Sequence, residues 1–430
     1  MIAVDEVGDE PLYLERVAAL DVGKALLEVC IRVPGDRDRR RRAQEIRSFG
    51  TTKSQILELA DWLRSWQVGH VAMESTSDYW KAPFFRLEAE GFQCELLDAK
   101  QVKALPGRPK TDRADAAWLA RNYERGMVAP CFVANEQFRR LRTLTRYRRN
   151  LTGERTREKQ RVEKLFEDAM VKVSVVVSDI FGVSGREMMA ALIAGQRNPR
   201  MLASLARGTM RNKIAQLEAA FDGADTSFTD HHAFVLSMML ANIDHLTAQI
   251  EALTAQIEEV IAPFEAQLTQ LDTIPGIATI NAQDILAEIG VDMSRFPSPA
   301  HLVSWAGFCP TVKQSAGKTR GHAARKKGNR YLAGALGEAA VVAGRGRTRL
   351  GARYRRVARR RGKAKAQVAV GNTMLGIIHT LLSQPETTYN DLGADYYDTK
   401  INHRRQVSSH IASLHRLGYR VTLEQINSAA

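Results

Sequence analysis

Hydrophobic and polar positions change their period along this chain, and the changes predict its parts. The apolar runs Val17-Ala18-Ala19-Leu20 and Ala25-Leu26-Leu27-Glu28-Val29-Cys30-Ile31 flank Asp21-Val22-Gly23-Lys24 and predict a strand pair whose first strand ends at Asp21. A third strand is expected near residues 44–49. Ile56, Leu57, Leu59, Leu63 and Trp66 then fall at helical spacing, and the short run from Val68 to Met73 predicts a strand that ends at Glu74. A helix at 79–90, a strand at 94–97 and a helix opening at Asp112 complete the order β-β-β-α-β-α-β-α, which predicts an α/β unit: a mixed sheet flanked by helices.

Beyond it the period becomes helical. Residues 138–166 carry the stripe Leu141, Leu144, Leu151, Val162 and Leu165, whereas 171–223 are helical but irregular. Met239, Ile243, Leu246, Ile250, Leu253, Ile257, Val260 and Phe264 alternate steps of four and three, the seam of a coiled coil. Its partner is either another subunit, giving a dimer or tetramer, or the 138–166 helix folded back antiparallel. Residues 271–385 read as mostly helical. The expected divisions are 1–125, 126–270, 271–385 and a tail at 386–430.

Charge sharpens this picture. The 430 residues carry a formal net charge of +14, which points to a polyanion as partner. The region 293–385 holds nineteen Lys or Arg against one acid, Glu338, so its net charge exceeds that of the whole chain. Surfaces that merely face water seldom lack the opposite sign for so long, and a phosphate-binding face is expected there. Its basic residues include Lys313, Lys318, Arg320, Arg325, Lys326, Lys327 and Arg330, then Arg355, Arg356, Arg359 and Arg360. A second candidate face lies on the 138–166 helix, at Arg139, Arg140, Arg142, Arg146 and Arg149; Tyr147 among them could stack on a base but is expected to pack. Four cysteines, far apart and without a C-x-x-C pair, signal neither a zinc site nor a disulfide framework, which fits a reducing, cytoplasmic setting. No run of about 18 apolar residues appears, so no membrane span is expected.

Candidate chemistry begins with acids. Asp112 and Asp115 sit three apart at a helix start, where residues at that spacing share a face. They can serve as a cap and a first-turn acid, or as ligands of divalent cations. Asp21 and Glu74 each end a predicted strand, and in open α/β sheets functional groups gather at the carboxyl ends of strands. If those strands are neighbours, four carboxylates surround one point, the arrangement of a two-metal phosphoryl-transfer site. Further along, Thr273-Ile274-Pro275-Gly276-Ile277 reads either as a phosphate-contacting helix-hairpin-helix turn or as a turn between core helices. Ser315, in the loop Gln314-Ser315-Ala316-Gly317-Lys318, is either an ordinary turn residue or a hydroxyl that attacks a phosphodiester with Lys313, Lys318 and Arg320 as neutralising cations.

The pieces Asp21-Val22-Gly23-Lys24, Met73-Glu74-Ser75-Thr76 and Lys110-Thr111-Asp112-Arg113-Ala114-Asp115-Ala116 resemble the N-terminal domain of the DEDD transposases of insertion-sequence family one-hundred-and-ten. Gly307-Phe308-Cys309-Pro310, the Ser315 loop, Lys327-Gly328-Asn329-Arg330-Tyr331-Leu332 and Gly362-Lys363 resemble its C-terminal transposase domain. Two departures stand out: Ser77-Asp78 where the family commonly has Gly, and Ala316 where Gly is more frequent. The resemblance implies an RNase H-like, RuvC-like first domain, Mg²⁺ (two ions) held by Asp21, Glu74, Asp112 and Asp115, and Ser315 as the nucleophile of a phosphoserine-DNA intermediate. It also implies donor and target DNA, and a structured bridge RNA as guide. A site-specific invertase of the same lineage and a hydrolytic junction resolvase are the alternatives.

Overall fold

The structure is a computed structural model. It describes residues 3–6, 12–35, 41–75, 77–108, 111–310, 314–315, 318–319, 328–399 and 403–423. Contacts divide the chain into two compact units, Met1–Val133 and Ala134–Ala430.

The first unit runs β1 (Ala3–Glu6), β2 (Val17–Val22), β3 (Leu26–Pro34), β4 (Arg41–Gly50), α1 (Lys53–Ser65), β5 (His70–Glu74), α2 (Lys81–Ala89), β6 (Gln93–Leu97), α3 (Ala99–Ala104) and α4 (Asp112–Glu124). The six strands lie in the order β1-β4-β3-β2-β5-β6. β4, β3 and β2 form an antiparallel meander, and β5 and β6 add on parallel to β2. This is the expected mixed sheet, an RNase H-like α/β arrangement. The strand β1 has no apolar run to announce it, and α3 is a single capped turn; the sequence reading missed both.

Period-two alternation explains the two layers. Ala18, Leu20, Val22, Val29, Ile31, Val71 and Met73 point to one face and pack with Ile56, Leu59, Leu63, Phe84 and Leu87 of α1 and α2. Val17, Ala19, Cys30 and Ala72 point to the other, where they meet Ala116, Leu119, Ala120 and Tyr123 of α4. Those four α4 residues recur at helical spacing, which lays the helix flat on the sheet. One turn before them come Asp112 and Asp115.

The second unit is helical. In α5 (Glu136–Asp168), α6 (Val173–Val176), α7 (Val183–Ile193), α8 (Pro199–Ser204), α9 (Ile214–Ala220) and α10 (Asp230–Ile261), two long helices flank four short ones. The short helices pack with Phe166, Phe228 and Leu236 into one core, so the irregular stretch is a small helical bundle closed by the ends of α5 and α10. α10 runs antiparallel along α5: Asp168 meets His232 at 3.2 Å, Arg155 donates to Thr247 at 3.2 Å, and the Phe138 and Phe264 rings lie 4.7 Å apart. Within the chain, the basic helix folded back packs along the seam, with Ile250, Leu253 and Val260 only half buried.

After α10 come α11 (Glu265–Asp272), α12 (Thr279–Ile289), α13 (Pro299–Trp305), β7 (Gln314–Ser315), β8 (Lys318–Thr319), α14 (Arg330–Ala343), α15 (Arg349–Arg361), α16 (Lys363–Ser383), α17 (Tyr396–Thr399) and α18 (His403–Arg416). The turn at Gly276 is a packing joint between core helices. Gly276 adopts φ +94°, and a Cβ there would lie 2.2 Å from the Ala339 carbonyl of α14, so α14 closes over the turn where a phosphate would have docked. Ile274 and Ile277 are buried beneath it. Among the described residues no helix is long and apolar enough to cross a membrane.

Candidate active site and basic surfaces

Parallel pairing sets the site. Leu20 of β2 pairs with Met73 of β5, so the next residues, Asp21 and Glu74, stand side by side at the same end of neighbouring strands, on the face that α4 covers. α4 delivers Asp115 from its first turn. Neither of its acids caps it: Asp112 is the first helical residue, Thr111 occupies the cap position, and no side chain donates or accepts there. Asp112 is thus no cap, while Asp115 does take the first-turn place expected of it, and both acids stand where the helix dipole favours negative charge.

The electrostatics show how near these groups are. Burial first, then Asp115, Asp112 and Glu74, push the Asp21 carboxyl up to about 6; Arg108 acts in the opposite direction. Glu74 is buried. Arg108, in the loop before α4, donates to Glu74 Oε2 at 2.8 Å and to Asp115 Oδ2, so one guanidinium bridges two of the four acids. Asp115 Oδ1 is buried with no hydrogen-bond partner. Among the described residues no three His, Cys, Asp or Glu side chains close around one point as the ligands of an ion would. What Glu74 and Asp115 hold is Arg108. The donors are hard carboxylate oxygens, one of them orphaned, gathered around a cation: a set suited in chemistry to Mg²⁺ or Mn²⁺.

Sequence reading missed the residues that hold this geometry. At the far end of α4 the buried Glu124 takes Arg32 Nε at 2.9 Å on one oxygen and Arg42 Nη2 at 3.0 Å on the other, tying the helix to β3 and β4. Near its start Arg113 donates to the Ile46 carbonyl at 3.2 Å and lies 3.9 Å from buried Glu28, which stands directly across from Asp21 on β3. Trp118 reaches back to the Pro106 carbonyl at 3.3 Å, fixing the loop that carries Arg108. The only hint in the sequence was that Glu28 interrupts an apolar run. Asp78 is exposed and pairs with Lys81 at 2.7 Å.

The two predicted basic faces differ. On α5, Arg146 grips both oxygens of Glu288 at 2.7 and 2.8 Å, Arg142 donates to the Ala287 and Glu288 carbonyls that end α12, and Arg149 pairs with Asp284 and Glu338. Arg148 is buried between Gln283 and Asp284. Arg139 donates to the Ala134 carbonyl, and Arg140 pairs with Glu136 at the surface. These guanidiniums are engaged within the fold. Tyr147, expected to pack, is instead half exposed. On α15, Arg355 donates to the Gly344 and Gly346 carbonyls and Arg356 lies over Tyr397, while Arg359 and Arg360 are exposed and followed by Arg361. Arg330 opens α14 and stacks on Tyr331.

Ser315 lies on β7, paired in register with Lys318 of β8. The side chains of both, with Lys313, Arg320, Arg325, Lys326 and Lys327, lie outside the described residues.

Comparison with known proteins places these features. Residues 18–171 match a family profile of transposases of the DEDD, IS110 type, a span that holds all four acids. Residues 268–355 match a second profile, that of the transposase IS116/IS110/IS902 family, and this span holds Ser315. The chain is also similar, 39% identical over 66 residues, to a protein of Streptomyces coelicolor described as "Insertion element IS110 uncharacterized 43.6 kDa protein"; the match covers 15% of this chain and 16% of that relative.

Proposed function

We propose a function from one premise: the chain belongs to the IS110 family of DEDD transposases, whose two profiles together span more than half of it. It acts as the recombinase of an insertion sequence, cutting and rejoining DNA. Asp21, Glu74, Asp112 and Asp115 hold divalent metal, two Mg²⁺ ions, which when bound stabilise negative charge on the scissile phosphate and the leaving oxygen. Ser315 is the nucleophile for that phosphodiester. As its hydroxyl oxygen bonds to phosphorus, the bond from phosphorus to the neighbouring nucleotide breaks; the hydroxyl proton is lost and the leaving oxygen is protonated. Attack by the hydroxyl of another strand reverses the step and joins the new pair. The phosphoserine ester conserves the bond, so strand exchange requires no nucleoside triphosphate.

The observation that supports this reading is that Asp21 and Glu74 stand side by side where β2 and β5 end, with Asp115 of α4 joined to Glu74 through Arg108 and Asp21 raised by burial first and then by the neighbouring acids. Donor and target DNA, and the bridge RNA that guides them, are assigned to the arginines of α15 and the basic loop before α14. That region offers phosphates many cations and, in α15 and α16, no acid at all. A second copy is assigned to the stretch of α10 where Ile250, Leu253 and Val260 are only half buried.

The test is Ser315→Ala against wild type on end-labelled recombination substrate in Mg²⁺. The variant should bind DNA yet form no denaturant-resistant protein-DNA adduct. Wild type that releases free phosphate-ended products and never forms an adduct is a hydrolytic resolvase, and the serine mechanism fails.

A further inference from the structure

The bridge made by Arg108 has a consequence for how the site is loaded. A guanidinium carries several N–H donors, and here one nitrogen, Nη2, donates to two different acids, Glu74 and Asp115. Those are residues that a divalent ion would need. Arg108 Nη2 and an ion bridging Glu74 Oε2 and Asp115 Oδ2 compete, since both would sit between the same two oxygens and two positive charges repel there. Four carboxylates in mutual repulsion account for why a cation stays there at all: without one, ionised Asp21, Asp112, Asp115 and Glu74 face each other uncompensated. The Arg108 side chain is 28% exposed, against 6% for Glu74 and 14% for Asp115, so the guanidinium covers the acids on the solvent side. Its loop is anchored, with Trp118 bonded to Pro106 and its ring 5.9 Å from the guanidinium carbon.

We propose that Arg108 is the built-in counter-cation of the carboxylate centre, and that divalent metal must displace it from Glu74 and Asp115 to load the site. This rests on the metal-site reading above. A ligand that competes with an internal group binds more weakly by the fraction of molecules in which that group has let go. Arg108 thus sets the divalent concentration at which the chain becomes competent, and keeps the centre neutralised until then. Displaced from the acids, its guanidinium lies at the mouth of the site, free to donate to an incoming DNA phosphate.

The test is Mn²⁺ binding to the full chain without nucleic acid, followed by paramagnetic resonance of free Mn²⁺, with melting temperatures in chelator and in Mn²⁺. Arg108→Ala should bind Mn²⁺ about tenfold tighter than wild type or better. It should melt lower than wild type in chelator and recover the difference in Mn²⁺. Arg108→Lys keeps the charge on an ammonium whose three donors can, like Nη2, serve both acids, and should bind Mn²⁺ nearer to wild type than Arg108→Ala does. Arg108→Ala binding no tighter than wild type overturns the proposal while leaving the metal site standing. Asp115→Asn is the control: if it binds Mn²⁺ as wild type does, the carboxylates are not the metal site, and the reading fails together with this inference.

Discussion

Two arginine-rich helices, α5 and α15, look alike in sequence and differ in the partners the fold gives them. Both place arginines at successive turns, and both suggest a phosphate-binding face. On α5 the partners are acids more than a hundred residues away: Glu288 takes Arg146, Asp284 takes Arg148, and Glu338 takes Arg149. On α15 Arg359 and Arg360 are exposed, and Arg361 closes the helix where cations complement its dipole. Arginine density alone therefore does not say how many guanidiniums the fold leaves to solvent. The difference lies in the acids of the facing helices: α12, with Glu338 of α14, supplies them to α5, while α16 supplies none to α15.

The contrast can be broken most forcefully at Glu288, which is 1% exposed. Glu288→Ala strands Arg146 and frees Asn329, and should destabilise the helical unit by about 3–5 kcal/mol, the range for removing one partner of a buried ion pair; urea denaturation reads it. A change below about 1 kcal/mol would mean that α5 is not held by these pairs. Replacing Arg359, Arg360 and Arg361 together by Ala should do the converse: stability within about 0.5 kcal/mol of wild type, but a slope of log affinity against log salt shallower by about 0.9 for each lost phosphate contact. An unchanged slope would remove α15 from the interface. At the acidic site, Asp21 titrates near 6 in the metal-free protein. Its raised value means that the folded state holds a proton the unfolded chain has released, so stability falls as pH rises from about 4 to about 6. Asp21→Asn should abolish that fall and raise the melting temperature above pH 7 in chelator. The smallest effect is expected at Arg140→Ala, whose exposed pair with Glu136 is worth at most a few tenths of a kcal/mol.

The same contrast explains what could be read from sequence. Asp21 and Glu74 were legible because each ends an apolar run, and Asp112 and Asp115 because they share a helix face ahead of Ala116 and Leu119; the sheet then supplied the neighbour relation between β2 and β5. Arg108 was not legible, being one of 62 basic residues in a loop with no periodic pattern. Glu124 and Glu288 are buried, and nothing local in the sequence announces it, because their partners come from distant segments. α12 shows the limit most clearly. Residues 282–289 suggest an amphipathic helix, yet every one is buried, the polar ones against arginines of α5 and Asn329 of the α14 cap.

Most direct of all is the location of the covalent bond to DNA. Wild-type protein is reacted with labelled substrate in Mg²⁺, quenched, digested and sequenced by mass spectrometry. The nucleotide should sit on the peptide at Ser315, and the adduct should be absent from Asp115→Asn. An adduct on any other residue, or one formed equally well by Asp115→Asn, contradicts a serine nucleophile served by these carboxylates.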